Sequence, residues 1–341
     1  MITRSALRWT RFAAAALAST ALFAACVPGS QRAANRPATA EDLREADRVL
    51  VERRGDAIRE ILAASESDDP FLRANAIEAM QPLPDRVRPL VRLGVDDDVS
   101  VVRYAALVTA GRLGLTEMAG VAERKMRDPD PNARAAAIYA AKALGRDVDL
   151  SPLAKMLASP DPDLRANAVM LVSWLDEPGS IAMIKEATRA PMRRASAEER
   201  AITRVQVAEA VVNLGDEAAI DAVRAAAYSP FDEVRVLAIM TLGRLEDRAM
   251  AAALAPMLDE GPIEIRLAAA RSLGQMGEPG GLRVARRGAE SERPTVRAQA
   301  AFALAAIDHP RSAEPLALLL DDPSPQVRLS AAAGVLDRVA R

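Results

Sequence analysis

Hydrophobic positions recur along the chain at helical spacing. After Arg165, for example, Ala168, Val169 and Val172 stand three, four and seven residues later. This spacing places apolar side chains on one face of an amphipathic helix. An earlier segment in the same stretch, residues 153–157, shows similar spacing. The pattern therefore predicts pairs of helices, with little sign of strand alternation.

The pattern repeats with a period of 31 residues. One arginine follows each predicted turn, and consecutive arginines are 30 or 31 residues apart except at one spacing of 39. The aligned residues are Arg73, Arg103, Arg134, Arg165, Arg204, Arg235, Arg266, Arg297 and Arg328. Internal repeats of this length are typical of solenoids. The longer spacing predicts one insertion in the unit that follows Arg165.

Each repeat carries signals for the start of its second helix. Proline stands three residues before the arginine in five of nine repeats, as Pro162 does before Arg165. The first turn of a helix tolerates proline because its amides have no partner within the helix. Asp161 comes directly before that proline, where a side-chain oxygen caps the free amides. By the same reasoning, Thr39 is predicted to cap the first helix.

A small residue occupies one register of the second helix. Alanine stands three residues after the arginine in eight of nine repeats, with Val207 as the exception. The positions are Ala76, Ala106, Ala137, Ala168, Ala238, Ala269, Ala300 and Ala331. Helices approach closely where their side chains are small, so this register predicts a close helix crossing.

These registers resemble the HEAT repeats of the short bacterial type first associated with phycobilin lyases. The resemblance implies an all-α fold, a right-handed α-solenoid of about nine helix pairs over residues 40–341. It also implies that the nine arginines form a structural ladder, bonding to turn groups of their own or a neighbouring repeat. At about 10 Å per pair, we expect a curved rod about 90 Å long. Its C-terminal end, with Leu329, Val335 and Leu336, is predicted to be open.

The N-terminal segment predicts export and a lipid anchor. Residues 1–25 combine a basic start with a short apolar run, as a signal peptide does. The sequence LFAAC, which ends at Cys26, resembles the lipobox of bacterial lipoproteins, although Phe23 replaces the usual leucine. A lipidated Cys26 would then begin a tether over residues 26–39, which holds the solenoid in the periplasm. Val27 favours the outer membrane, and a secreted protein with a free thiol is the alternative.

Composition argues against several classes of function. The formal net charge of −2 does not favour nucleic-acid binding. Cys26 is the only cysteine and His309 the only histidine, so the usual Cys–His and Ser–His catalytic pairs are not expected. The HEAT-like deoxyhypusine hydroxylases carry His-Glu pairs that bind iron, and this chain has no His-Glu. We therefore expect no catalytic residue, no metal and no cofactor.

The predicted partner-binding residues lie on the second helices. Positions one, five and nine after the arginine are expected to face solvent on the concave side. The apolar and basic residues among them are Tyr104, Val108, Arg112, Tyr139, Met170, Trp174, Met240 and Phe302. The insertion adds Arg189, Arg193 and Arg194, predicted to lie beside the aromatic residues and to steer acidic groups. The alternative is that these aromatic side chains pack between neighbouring repeats.

The sequence thus predicts a non-enzymatic scaffold that binds another protein on its concave face. Two alternatives stay open. One is an enzyme or enzyme subunit resembling the bilin lyases. The other is homotypic assembly through the open C-terminal end.

Overall fold

The computed structural model describes residues 39–340. The predicted signal peptide (residues 1–25), the predicted lipidation site Cys26 and the rest of the tether up to residue 38 lie outside the described residues. None of the helices in the described part combines the length and the apolar character needed to cross a bilayer.

Residues 39–340 form eighteen α-helices, with several short 3₁₀ turns next to them. The helices are α1 (Ala40–Ser65), α2 (Pro70–Ala79), α3 (Pro84–Gly94), α4 (Ser100–Arg112), α5 (Ala119–Lys125), α6 (Pro131–Ala143), α7 (Ser151–Met156), α8 (Pro162–Leu175), α9 (Ser180–Ala187), α10 (Ala197–Asn213), α11 (Ile220–Ala226), α12 (Asp232–Arg244), α13 (Ala251–Leu254), α14 (Ile263–Gln275), α15 (Leu282–Ala289), α16 (Pro294–Ala306), α17 (Pro310–Leu318) and α18 (Pro325–Ala340). The prediction of an all-α solenoid of nine helix pairs is confirmed.

The predicted helix starts are confirmed. The carboxylates of Asp69, Asp130 and Asp161 each accept hydrogen bonds from amides at the start of the next helix. The side chain of Thr39 caps α1 and forms a reciprocal capping box with Asp42. Proline is the first residue of each helix where the sequence predicted it, namely Pro70, Pro131, Pro162, Pro294 and Pro325.

The helices form two layers. The even-numbered helices pack on one another in chain order and form the inner layer, while the odd-numbered helices cover them from outside. The eight alanines that the sequence predicted at close crossings are all 0% exposed. Small side chains at this register let the helices approach closely, so that prediction is confirmed as well.

The solenoid closes on itself. Helix α18 packs against both α1 and α2, and α17 also packs against α1, so the inner layer has no free end among the described residues. Nine inner helices spaced by about 10 Å give a ring about 30 Å across, measured between helix axes. The predicted open rod is therefore wrong, because the curvature of successive repeats brings the two ends together.

Ion pairs and apolar side chains hold this seam. Arg328 Nε donates to Glu60 Oε2 at 2.7 Å, and Arg338 Nε donates to Asp47 Oδ1 at 2.9 Å. Arg53 Nη2 lies 2.9 Å from both carboxylate oxygens of Asp321. The three apolar residues predicted at an open end are 4%, 0% and 2% exposed, in the order Leu329, Val335 and Leu336. The surface proposed for homotypic assembly is thus covered by the chain itself.

The arginine ladder links neighbouring repeats. Arg103 Nη1 donates to the carbonyl oxygens of Asp97 and Asp98 at 2.8 and 3.0 Å, within its own turn. Its Nε and Nη2 donate to the Asp128 carboxylate of the next repeat at 2.7 and 2.8 Å. Arg73 with Asp97, and Arg297 with Asp322, repeat this arrangement. Arg134 and Arg328 keep the carbonyl contacts to their own turns.

Other ladder positions depart from this arrangement. Arg165 is 1% exposed and donates to carbonyl oxygens only, among them that of Ala190 at 2.7 Å. Arg235 Nη1 lies 3.5 Å from Asp232 Oδ1. Arg266 Nε donates to the Leu258 carbonyl oxygen at 3.0 Å.

The ladder assignment of Arg204 is wrong. Its side chain is exposed, and Arg200 donates instead to a carbonyl of its own turn, that of Ala195. The ladder residue stands three positions after the start of its helix, as Arg103 does in α4, and α10 begins at Ala197. The insertion adds about one turn to the start of α10, so Arg200 takes the position that the period assigned to Arg204.

Candidate functional site

Three inner helices bring Arg112, Tyr139 and Trp174 together. Arg112 ends α4, Tyr139 lies in the C-terminal half of α6, and Trp174 is the penultimate residue of α8. The Arg112 guanidinium carbon lies 5.0 Å from the centroid of the Trp174 ring. The Trp174 and Tyr139 ring centroids are 5.8 Å apart, with a tilt of 58° between the rings. These contacts are a cation–π interaction and a tilted aromatic pair.

Tyr139 is a packing residue, contrary to its predicted exposure. It is 3% exposed, and Val108 is 5% exposed. Arg112 and Trp174 meet across α6, which lies between their helices, and this close approach covers Tyr139. A Cβ atom on residue 111 would lie 2.6 Å from the Tyr139 side chain. Glycine at position 111 therefore leaves the space that the Tyr139 side chain occupies. Burial raises the pKa of Tyr139 to about 12, and the charge of Arg112 opposes that shift.

An open cavity of about 520 Å³ lies beside these residues. Its lining combines the basic side chains of Arg112 and Lys142, the aromatic rings of Tyr139 and Trp174, and Gly111, Ala143, Leu175 and Glu177. Lys142 Nζ lies 3.1 Å from Glu177 Oε1, so these two charges neutralise each other. The cavity is large enough for a few side chains of a ligand.

Arg112 makes no ion pair within 4.0 Å in the described part of the chain, although Glu78 on α2 is near enough to interact with its charge. Burial raises the pKa of half-buried Glu78 to about 7, and the positive charge of Arg112 opposes that rise. Removal from water disfavours the charged form of a carboxyl group. Near neutral pH, Glu78 is therefore an incomplete counter-charge for Arg112.

Another glutamate and arginine, at the same positions in their repeats as Glu78 and Arg112, form an ion pair elsewhere in the solenoid. In the 31-residue period of the sequence, Glu209 stands five residues after Arg204 and Arg244 nine residues after Arg235, as Glu78 and Arg112 stand after Arg73 and Arg103. Arg244 Nε and Nη2 donate to the two Glu209 carboxylate oxygens at 2.7 and 2.8 Å. The sequence analysis did not predict that a glutamate and an arginine at these positions face each other, although the 31-residue period aligns both pairs. Lys142 and Glu177 carried no such signal.

The structure does not bring every predicted residue to this cavity. Tyr104 and Met170 are half-buried, and neither lines the cavity. Met240 and Phe302 lie on α12 and α16, away from the α4, α6 and α8 helices that line it. The Arg271 guanidinium carbon lies 5.0 Å from the Phe302 ring centroid, which gives a second cation–π contact on the inner layer.

The insertion lies at the opposite edge of the ring, which corrects its predicted place beside the aromatic residues. Arg165, near the start of α8, donates to the Ala190 carbonyl of the insertion. Trp174 is nine residues further along α8, about 13 Å at 1.5 Å per residue. Arg189, Arg193 and Arg194 are exposed, and Arg189, two residues after the end of α9, pairs with Glu186 in the last turn of that helix. These arginines therefore do not join Arg112 in one site.

The fold and this inner surface define the chain as a closed α-solenoid. The family model for HEAT repeats matches residues 118–202 and 251–337, half of the chain. The chain belongs to the HEAT-repeat family. No curated protein matches it.

Solved structures of helical proteins are similar to the chain. Human deoxyhypusine hydroxylase is 20% identical, with 83% of this chain and 96% of that chain covered and a TM-score of 0.38. The CpcE–CpcF complex of phycocyanin lyase from Nostoc is 15% identical, with 73% and 94% covered and a TM-score of 0.39. Kap121p bound to Nup53p is 15% identical, with 80% and 36% covered and a TM-score of 0.34.

Proposed function

We propose that this HEAT-repeat ring is a non-enzymatic scaffold, lipid-anchored through Cys26 in the bacterial cell envelope, that binds a partner protein on its inner surface. The observation that carries the proposal is the open cavity between α4, α6 and α8, where Arg112 stacks on Trp174. Tryptophan, tyrosine and arginine are the residue types most enriched among energetic anchors of protein interfaces.

The ring supports rigid presentation of this surface. Gly111, Tyr139 and the alanines at the helix crossings are tightly packed, so the cavity walls belong to the core. A wall that is already ordered loses little conformational entropy when a partner binds. The cavity therefore suits recognition of a partner segment that adapts to it.

The place where the described chain begins is compatible with this proposal. Helix α1 runs into the start of α2 through the turn at residues 66–69, so the first residues of α1 lie near the edge where the inner helices end. Arg112 and Trp174 lie at that same edge. The 13 residues from 27 to 39 span at most about 45 Å when extended. A lipid on Cys26 would hold the start of α1 within that reach of the membrane surface, in the periplasm and on the outer membrane.

Site-specific photo-crosslinking in the native envelope tests partner binding. A photoreactive residue replaces Lys142 at the cavity in one variant and Leu93, on the outer helix α3 and 75% exposed, in the other. We expect a specific protein to crosslink at position 142 but not at position 93, and the Trp174→Ala variant to lose that crosslink. Crosslinks only at position 93, or an unchanged set after Trp174→Ala, would contradict an inner binding surface.

Fractionation tests the anchor separately. We expect the Cys26→Ser variant to leave the membrane fraction and the wild type to stay in it. A variant that remains in the outer-membrane fraction would contradict anchoring through Cys26.

A further inference from the structure

We propose that the cavity beside Arg112 binds an acidic side chain, Asp or Glu, within an extended peptide segment of the partner. The peptide carboxylate pairs with the Arg112 guanidinium, and an adjacent apolar side chain packs on Trp174 and Leu175. This inference rests on the proposed function, since it names the chemistry that the same surface recognises.

Arg112 and Arg244 differ in how the surrounding chain neutralises their charge. Arg244 and Arg112 occupy the same register of their helices, and each has a glutamate at the matching register of the preceding inner helix. Arg244 makes two hydrogen bonds to Glu209, whereas Arg112 lies against the Trp174 ring. The ring therefore neutralises one inward arginine by a closed ion pair and leaves the equivalent arginine on an aromatic surface beside a cavity.

The surroundings of Arg112 select a single carboxylate. Lys142 is paired with Glu177, so Arg112 is the basic residue of the cavity lining that makes no ion pair with the described part of the chain. With Lys142 and Glu177 neutralising each other, the one remaining positive charge matches the single charge of a carboxylate better than the two charges of a phosphate group. The guanidinium of arginine binds a carboxylate through two parallel hydrogen bonds, and this geometry stays available on the face of an indole ring.

The apolar part of the cavity selects what stands next to that carboxylate. Leu175, Ala143 and the Trp174 ring present carbon atoms beside the guanidinium. The volume of about 520 Å³ accommodates a few side chains and exceeds the size of one carboxylate. An acidic residue flanked by leucine or a similar side chain satisfies both parts of the lining.

Fluorescence of Trp174 provides a direct readout. In the mature chain, residues 26–341, Trp174 is the single tryptophan, since Trp9 lies in the predicted signal peptide. The probes are the blocked peptides acetyl-Leu-Glu-Leu-amide and acetyl-Leu-Gln-Leu-amide, and acetyl-Leu-Leu-Leu with a free terminal carboxylate. We expect the Glu peptide to change Trp174 fluorescence saturably and to bind about tenfold more tightly than the other two, the effect of one charge-assisted pair.

Variants locate the contact. Arg112→Gln removes the cation and is expected to weaken the Glu peptide at least tenfold, to the level of the Gln peptide. Arg244→Gln, a matched change at the equivalent register, is expected to leave peptide binding unchanged. Circular dichroism and a thermal unfolding midpoint establish that each variant is folded. Where Arg112→Gln fails to fold, Arg112→Lys takes its place, with an expected partial loss because lysine lacks the planar fork.

Several outcomes would overturn the inference. These are no fluorescence change with the Glu peptide, equal binding of the Glu and Gln peptides, tighter binding of the peptide with the free terminal carboxylate, or the same loss in Arg244→Gln as in Arg112→Gln. A crosslinked partner at position 142 together with any of these results would leave the proposed function standing and remove only the acidic-peptide specificity.

Discussion

At the scale of single residues, the turns depend on buried ion pairs. The side chains of Arg103 and Asp128 are 11% and 3% exposed and make two hydrogen bonds to each other. Arg283 and Asp259, by contrast, are 65% and 66% exposed. Removing one partner of a buried pair leaves an uncompensated charge, whereas water solvates the remaining partner of an exposed pair.

Arg103→Ala is expected to lower the free energy of unfolding by about 3 kcal/mol, because Asp128 stays buried without its cation. The exposed counterpart Arg283→Ala is expected to cost less than about 1 kcal/mol. Urea unfolding at pH 7, followed by circular dichroism, measures both. Equal losses of unfolding free energy in the two variants would show that burial of the Arg103-Asp128 pair does not add to stability.

Glu78 gives the ring a pH-dependent stability. Its pKa in the folded chain is raised to about 7, above the ordinary value, so the folded state holds a proton that the unfolded state releases. Stability therefore falls as pH rises from about 4.5 to about 7, because the charged form is penalised in the fold. Glu78→Gln removes this penalty and is expected to stabilise the ring by about 2 kcal/mol at pH 8 and by little at pH 5.

Urea unfolding at the two pH values tests this prediction. Glu209→Gln is the matched control, since Glu209 is paired with Arg244 and its loss is expected to destabilise the ring at pH 8. A gain from Glu78→Gln that is the same at pH 5 and pH 8 would contradict a raised pKa.

At the scale of the helix, the sequence predicts most of each repeat. Proline and aspartate at the helix starts and alanine at the crossings act locally, so their roles were readable from the period. The ladder residue of α10, Arg200, could not be identified from the period. Its role depends on the distance from the helix start, and the insertion moved that start to Ala197. The exposure of Tyr139 was also predicted wrongly, since it depends on side chains from two other helices.

The helix ends offer a prediction at the same scale. Glycine takes a positive φ after several inner helices, including Gly145 at 83° and Gly215 at 97°. Glu246 takes the same conformation at 50° without being glycine, and its side chain is exposed. Glu246→Gly is expected to raise the free energy of unfolding by about 1 kcal/mol, because glycine adopts this conformation without steric cost.

Glu246→Ala is the control for that change, since alanine removes the same side chain but keeps the Cβ atom. Thermal unfolding of the two variants and the wild type measures the difference. A Glu246→Gly chain no more stable than Glu246→Ala would contradict a strained helix end.

At the scale of the whole molecule, closure of the ring was not predictable from the period. The curvature of a solenoid accumulates from a small rotation at each repeat, and the sequence does not give that rotation. One local sign was present, since α1 is 26 residues long and buries Leu50, Ala57 and Ile61 on one side. Helix α1 packs against α17 and α18 at the end of the array, so the first and last repeats stabilise each other.

The measurement that tests this account most directly is a crosslink across the seam. In a Cys26→Ser chain, cysteines replace Arg53 on α1 and Asp321 after α17, which pair in the ring. A short bismaleimide is expected to join them within one chain at any protein concentration, and mass spectrometry identifies the linked peptides. A control pair at positions 53 and 186, on α1 and α9, is expected not to join. A 53–321 link found only in dimers, or not at all, would contradict the closed ring.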